Sequence, residues 1–156
     1  MKTNLFIFIS FFFLISCTLA PPPRPEPVNI INSITLTKPY EEVWIELIEY
    51  LSSRQIQIKT IDKNSGFIDT DFMELDYQIL ADYAWTGTRL PSAGYPKGKI
   101  KANIFIKKIG GAETKINVNT NVSVFLNGMG STLVPDQWIN AKSTGKFESD
   151  ILNIFK

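Results

Sequence analysis

The chain has 156 residues, 44% of them apolar and 20% charged, which excludes a disordered polymer and leaves room for one domain with a terminal extension. Its 16 Lys and Arg against 15 Asp and Glu leave a formal charge of +1, without the basic excess of a general nucleic-acid binder. No histidine is present, which removes the commonest general base and transition-metal ligand, and the single cysteine excludes an intramolecular disulfide and every multi-thiolate metal site.

Residues 1–16 open with Lys2 and continue into Leu5-Phe6-Ile7-Phe8-Ile9-Ser10-Phe11-Phe12-Phe13-Leu14-Ile15, eleven of the sixteen being apolar. A basic start and a short apolar run have the form of an export signal. The run is well short of the ~20 residues that a membrane-crossing helix needs. It closes on Leu14-Ile15-Ser16-Cys17, and this tetrad resembles the lipobox of bacterial lipoproteins, with the sole cysteine at the required place. The resemblance implies cleavage before Cys17, a diacylglycerol on its sulfur and an acylated new amino terminus. Two or three acyl chains would hold a domain to a bilayer, whereas a single myristoyl chain binds only marginally. Thr18 follows the cysteine where an Asp would signal inner-membrane retention, so the resemblance implies an outer-membrane lipoprotein facing the periplasm.

Residues 17–28 then form an acylated cysteine with a proline-rich spacer. Pro21-Pro22-Pro23-Arg24-Pro25-Glu26-Pro27 holds five of the nine prolines and favours polyproline II. Extended from Thr18 to Val28, it would place the domain roughly 30 Å from the lipid surface.

Residues 29–156 read as a single domain. Ile30, Ile34 and Leu36 alternate with polar positions, predicting a strand over about 30–37. Pro39, Glu41 and Glu42 suit a helix start, and Val43, Trp44, Leu47, Ile48 and Leu51 form one apolar face of a helix ending near Ser53. Gln55–Ile61 and Phe67–Phe72 predict a hairpin around the turn Asp62-Lys63-Asn64-Ser65-Gly66. Ile100, Ala102, Ile104 and Ile106 alternate with Lys99, Lys101, Asn103, Phe105 and Lys107. Ile116, Val118, Thr120, Val122 and Val124 alternate with Lys115, Asn117, Asn119, Asn121 and Ser123. These two strands, turning at Gly110-Gly111, predict a long antiparallel hairpin with a core face and a Lys/Asn face. Phe147, Ile151, Ile154 and Phe155 return to helical spacing, with Ser143 or Thr144 as cap.

The expected fold is therefore α+β: an antiparallel sheet of about five strands packed against two helices in the order β-α-β-β-β-β-α, a two-layer sandwich. The stretches Pro39-Tyr40-Glu41-Glu42-Val43-Trp44, Leu51 through Ile56-Gln57-Ile58 to Gly66-Phe67-Ile68, and Ser143-Thr144-Gly145-Lys146-Phe147-Glu148 resemble helix-grip lipoprotein domains. The best-known relatives are the BamC-type lipoproteins of the β-barrel assembly machinery. That family carries two such units in tandem and this chain carries one.

Catalytic chemistry is not legible. There is no Gly-x-Ser-x-Gly elbow and no phosphate-cradling glycine loop. Asp69, Asp71, Glu74 and Asp76 lack calcium-loop spacing and read as a solvated face. No metal, cofactor or nucleic acid is expected. Lys97, Lys99, Lys101 and Lys107 share a strand face, either guarding it against edge pairing or orienting it toward an acidic surface. The long connection from Met73 to Gly98 carries Tyr77, Tyr83, Trp85, Arg89 and Tyr95. Aromatics with an arginine match protein-docking hot spots, and Tyr83 and Trp85 could equally tuck back as a minor core. Trp44 and Trp138 are assigned to packing. The expected function is a non-enzymatic, membrane-anchored lipoprotein that docks an envelope protein in an assembly or secretion complex. The alternative is a periplasm-facing module holding an apolar ligand between helix and sheet.

Overall fold

The computed structural model describes residues 25–27, 29–86, 97–127 and 135–156. The leader 1–16, Cys17 with most of the spacer, and the candidate docking residues Arg89 and Tyr95 lie outside the described residues.

Strand β1 (Ser33–Leu36) leads into helix α1 (Tyr40–Ser53). Pro39 stands immediately before α1 with φ −59°, already near the helical value, and Glu41 and Glu42 occupy the positive end of its dipole. The helix buries Val43, Trp44, Leu47 and Leu51. It ends in a Schellman motif: the N–H of Ile56 donates to Leu51 O (2.9 Å) and that of Gln55 to Ser52 O (3.0 Å). Gln55 takes the left-handed conformation, φ +56°, that glycine normally supplies. That turn uses up Gln55 to Gln57, so β2 begins later than the alternation suggests, spanning Ile58–Asp62.

The return strand β3 (Phe67–Thr70) follows a turn in which Asp62 Oδ1 accepts the N–H groups of Asn64 (3.0 Å) and Ser65 (3.4 Å). Gly66 closes the turn with φ +71°, and a β-carbon there would lie 1.9 Å from the carbonyl oxygen of Ile106. Only glycine lets the turn approach so closely. Next come β4 (Met73–Leu75), α2 (Tyr77–Tyr83) and β5 (Ala84–Trp85). The long strands β6 (Gly98–Gly110) and β7 (Glu113–Leu126) precede β8 (Gln137–Ser143), α3 (Lys146–Leu152) and a 3₁₀ turn over Asn153–Phe155.

The β6–β7 hairpin forms the centre of the sheet, with Ile104 facing Val118 and Ile100 facing Val122. On the free side of β6, β3 and β4 pair end to end; on the free side of β7, β1 and β8 do the same. Strand β2 lies outside β3, and β5 lies outside β8, all antiparallel. Between β3 and β4 the chain leaves the ladder, and the buried Thr70 Oγ1 accepts the Ala102 N–H (2.9 Å) in its place. The inner face carries the buried Ile100, Ala102, Ile104, Ile106, Ile116 and Val118. Helices α1 and α3 cover it, and Trp44, Leu47, Phe147 and Ile151 are all buried in that layer.

The expected five strands and two helices in the order β-α-β-β-β-β-α are therefore overturned. Among the described residues there are eight strands and three helices. The additional elements are β4, α2 and β5 inside the supposed long connection, and β8. Each is too short or too polar to show a period: β5 has two residues, β4 three, and α2 seven with only Leu80 buried. Trp138 on β8 is not core packing: it is 46% exposed and faces outward opposite Phe125, whereas Trp44 is buried. The cap of α3 is Gly145 (φ +87°), not Ser143 or Thr144. Those two residues stand just outside it, accepting the N–H groups of Gly145 (3.0 Å) and Lys146 (3.4 Å).

Candidate functional site

A cleft of about 600 Å³ opens where the C-terminal end of α1 meets β4, α2 and α3. Its floor is apolar. The Schellman turn drops Ile56 into it, β4 contributes Leu75, α3 contributes Phe147, and all three are buried. Met73 and Ile154 extend the floor as half-buried walls. Ile79 of α2 stands at the edge, 43% exposed. The rim is polar: Arg54 and Asn153 reach it from two different elements. The Arg54 guanidinium lies over the Tyr50 ring, 5.7 Å from its centroid. Arg54 forms no ion pair among the described residues, and Glu74 stands opposite Lys99, so its side chain lies on the outer sheet face. An apolar floor, an exposed aliphatic side chain and an unpaired cation suit a ligand surface that is itself apolar at its centre and polar at its border.

One wall is a network around Tyr83. Its ring meets Phe147 edge-on, centroids 6.1 Å apart, and its hydroxyl donates to Asp150 Oδ2 (3.1 Å). Lys146 donates to the same carboxylate (2.6 Å), and its ammonium lies 5.6 Å from the Tyr83 ring centroid. Thr144 ties the strand below, its N–H donating to Tyr83 O (3.2 Å) and its hydroxyl to Asp82 O. Burial, and then the Asp150 charge, push the Tyr83 hydroxyl above its ordinary value. The hydrogen bond to Asp150 raises the Lys146 ammonium likewise. Both shifts favour the protonated forms, and the contacts of Tyr83, Lys146 and Asp150 clasp α2 to α3.

The fold separates the residues expected to dock a partner. Tyr83 is half-buried in the clasp. Trp85 is half-buried on β5, with the Lys142 ammonium 5.4 Å from its ring centroid. Tyr77, 38% exposed, opens α2 and does not line the cleft. Of the alternatives left open by the sequence, Tyr83 follows the minor-core one. Ile79, Arg54 and Asn153 are site residues that sequence reasoning missed. The spacing Tyr77, Leu80, Tyr83 was the available sign of a helical turn there.

The carboxylates of the turn region do not converge. Asp69 pairs with Lys101 (3.0 Å), and Asp71 accepts the Phe72 N–H (2.7 Å). Among the described residues no group of three or more potential metal ligands occurs, and no helix is long and apolar enough to cross a membrane. Compared with models of known protein families the chain matches none, and comparison with curated proteins finds no relative.

Proposed function

We propose that the chain is a non-enzymatic lipoprotein of the bacterial cell envelope, acylated at Cys17 and held at the outer membrane facing the periplasm, whose domain docks another envelope protein. The anchor rests on Leu14-Ile15-Ser16-Cys17 at the end of a short apolar leader. The docking role rests on the cleft. Ile79 stands exposed at the edge of a buried apolar floor that the unpaired Arg54 also borders. Such a centre-and-rim arrangement is what a partner side chain anchors into.

Two measurements test this reading. Cys17→Ser should abolish acylation and cleavage; a parent chain that keeps its unprocessed amino terminus and carries no acyl group would defeat the anchor. A photoreactive group at Ile79 should crosslink one envelope protein in cells, and Ile79→Asp should prevent that protein's co-purification. Crosslinking unchanged by a second charge at Arg54 (Arg54→Glu) would defeat the docking site.

The volume of the cleft supports a second reading, a small apolar ligand in the same place. That ligand would sit beside α2 and not between α1 and the sheet, where Trp44, Leu47, Phe147 and Ile151 fill the space. Recovery of a bound lipid by mass spectrometry, lost in Ile79→Asp, would favour it over a protein partner.

A further inference from the structure

The sheet face turned away from α1 and α3 carries an unusual strip. Asn117, Asn119 and Asn121 point outward in succession along β7. Asn103 lies opposite Asn119 on β6, and Asn140 lies opposite Ser123 on β8. Asparagine is among the residues depleted in strands, because it gains little from a pleated surface and competes for backbone hydrogen bonds. Five on one face break the local rule without a structural return. Their contacts are long: Asn121 donates to Asn103 at 3.5 Å, and Asn32 to Asn119 at 3.5 Å. Each amide thus keeps most of its donor and acceptor capacity.

Aromatic rings close both ends of the strip. At one end Phe67 and Phe105 are 5.0 Å apart, Phe105 being 46% exposed. At the other end the Lys99 ammonium lies between Phe72 and Trp138, 4.7 and 4.4 Å from their centroids, and Trp138 leans on Phe125 at 5.3 Å. Phe72 reaches this face because the chain leaves the ladder after Thr70. Six residues of β6 separate Phe105 from Lys99, about 20 Å at strand rise.

The cations of the strip are engaged. Lys101 pairs with Asp69 at 3.0 Å, and the Lys99 ammonium, which forms no ion pair among the described residues, is held by the rings of Phe72 and Trp138. Lys142, at the β8 side, pairs with Glu26. The facing Lys107 and Lys115 lie beyond Phe105, outside the strip. A phosphate polymer needs several unmatched cations along its path, and within the strip only Lys99 lacks a carboxylate partner. A neutral, extended, polyhydroxylated chain fits: its hydroxyls meet amides that both donate and accept, and its C–H faces meet the electron-rich faces of the end rings.

We infer that the outer sheet face is a binding platform for a neutral linear polysaccharide, held by the Asn103/Asn119/Asn121 strip between the Phe105 and Trp138 ring clusters. It is a different surface from the cleft, and its success or failure leaves the docking proposal untouched.

The test uses the full chain in detergent, titrated with chitohexaose, cellohexaose, maltohexaose and laminarihexaose, followed by calorimetry and amide NMR. At least one hexasaccharide should bind saturably, at least fivefold more tightly than its disaccharide, with shifts confined to β6, β7 and β8. Trp138→Ala and Asn119→Ala, Asn121→Ala together should each weaken it about tenfold or more. Both changes are on exposed positions, and unchanged thermal unfolding separates lost binding from lost folding. No saturable binding to any of the four at millimolar concentration overturns the inference. So does binding that ignores both variants, preferential salt-sensitive binding of heparin or poly(dT), or a dimer that Trp138→Ala dissociates.

Discussion

Replacing Tyr83 tests most directly whether the aromatic residues of the 73–98 segment face a partner or hold the domain together. In Tyr83→Phe the ring keeps its edge-on contact with Phe147, and only the hydrogen bond to Asp150 (3.1 Å) is lost. Asp150 retains Lys146, so no carboxylate is stranded, and the bond is partly solvated. The expected loss is about 1 kcal/mol. Tyr83→Ala also removes the half-buried ring, about 2 kcal/mol of burial, and the aromatic pair, about 1 kcal/mol more. For a domain of this size 1 kcal/mol corresponds to about 4 °C in Tm. Thermal unfolding by circular dichroism should therefore fall by about 4 °C in the phenylalanine variant and by more than about 10 °C in the alanine variant. An alanine variant melting with the parent would show that the clasp carries no load, and would return Tyr83 to the docking surface.

Three further outcomes follow from the geometry. Gly66→Ala puts a β-carbon 1.9 Å from Ile106 O at φ +71°, so β3 and β6 must separate and the Ile106 N–H loses its 2.8 Å bond to Gly66 O. The combined loss should exceed about 3 kcal/mol by urea unfolding, whereas Gly110→Ala, with open space around it, should stay within about 1 kcal/mol. Alkaline pH should destabilise the domain. Tyr83 titrates above its ordinary 10.0 and Lys146 above its ordinary 10.5 when folded. Folding thus favours both protonated forms, and that stabilisation is complete below those values and lost as pH rises through the folded ones. Tyr83→Phe should flatten this alkaline slope of Tm. Finally, Gln55→Gly relieves about 1–2 kcal/mol of left-handed strain against about 0.4–1 kcal/mol of added unfolded-chain entropy. A net gain of about 0.5–1 kcal/mol should appear as a higher urea midpoint with an unchanged slope.

The legible parts of the fold are those in which one element repeats its period often enough to be seen. α1 shows four buried residues on one face of fourteen, β6 alternates over nine residues and β7 over eleven. The illegible parts are short or compromised at an edge. Met73-Glu74-Leu75 and Ala84-Trp85 cannot display alternation at all. β8 reads Gln-Trp-Ile-Asn-Ala-Lys-Ser with no fully buried position, so its alternation is only between exposed and half-buried. The aromatic residues of the connection were visible, but their separation was not. Tyr83 and Trp85 sit two apart in sequence, yet one is clasped by α3 and the other pairs with β8. The asparagine strip was legible as a wet face; that its ends carry Phe72 and Trp138 depends on the break after Thr70 and on a strand the sequence did not reveal.

The lead into β1 joins these surfaces physically. Glu26 pairs with Lys142 on β8, Ile30 packs against the backbone of Gly145, with Cγ2 3.1 Å from where a β-carbon would stand, and Asn32 O accepts the Val118 N–H at 2.7 Å. The proline-rich segment therefore meets the domain at the corner where β8 gives way to α3, and it does so through side chains as well as the backbone. Gly145 is one residue from Lys146, the first residue of the clasp, and Lys142 borders the outer strip. The described part of this lead is thus fixed to the domain at that corner, by Glu26, Ile30 and Asn32. The cleft lies on the helix side of this corner and the asparagine strip on the sheet side. The two surfaces could thus be occupied at once, each presented to a different neighbour by the same attachment.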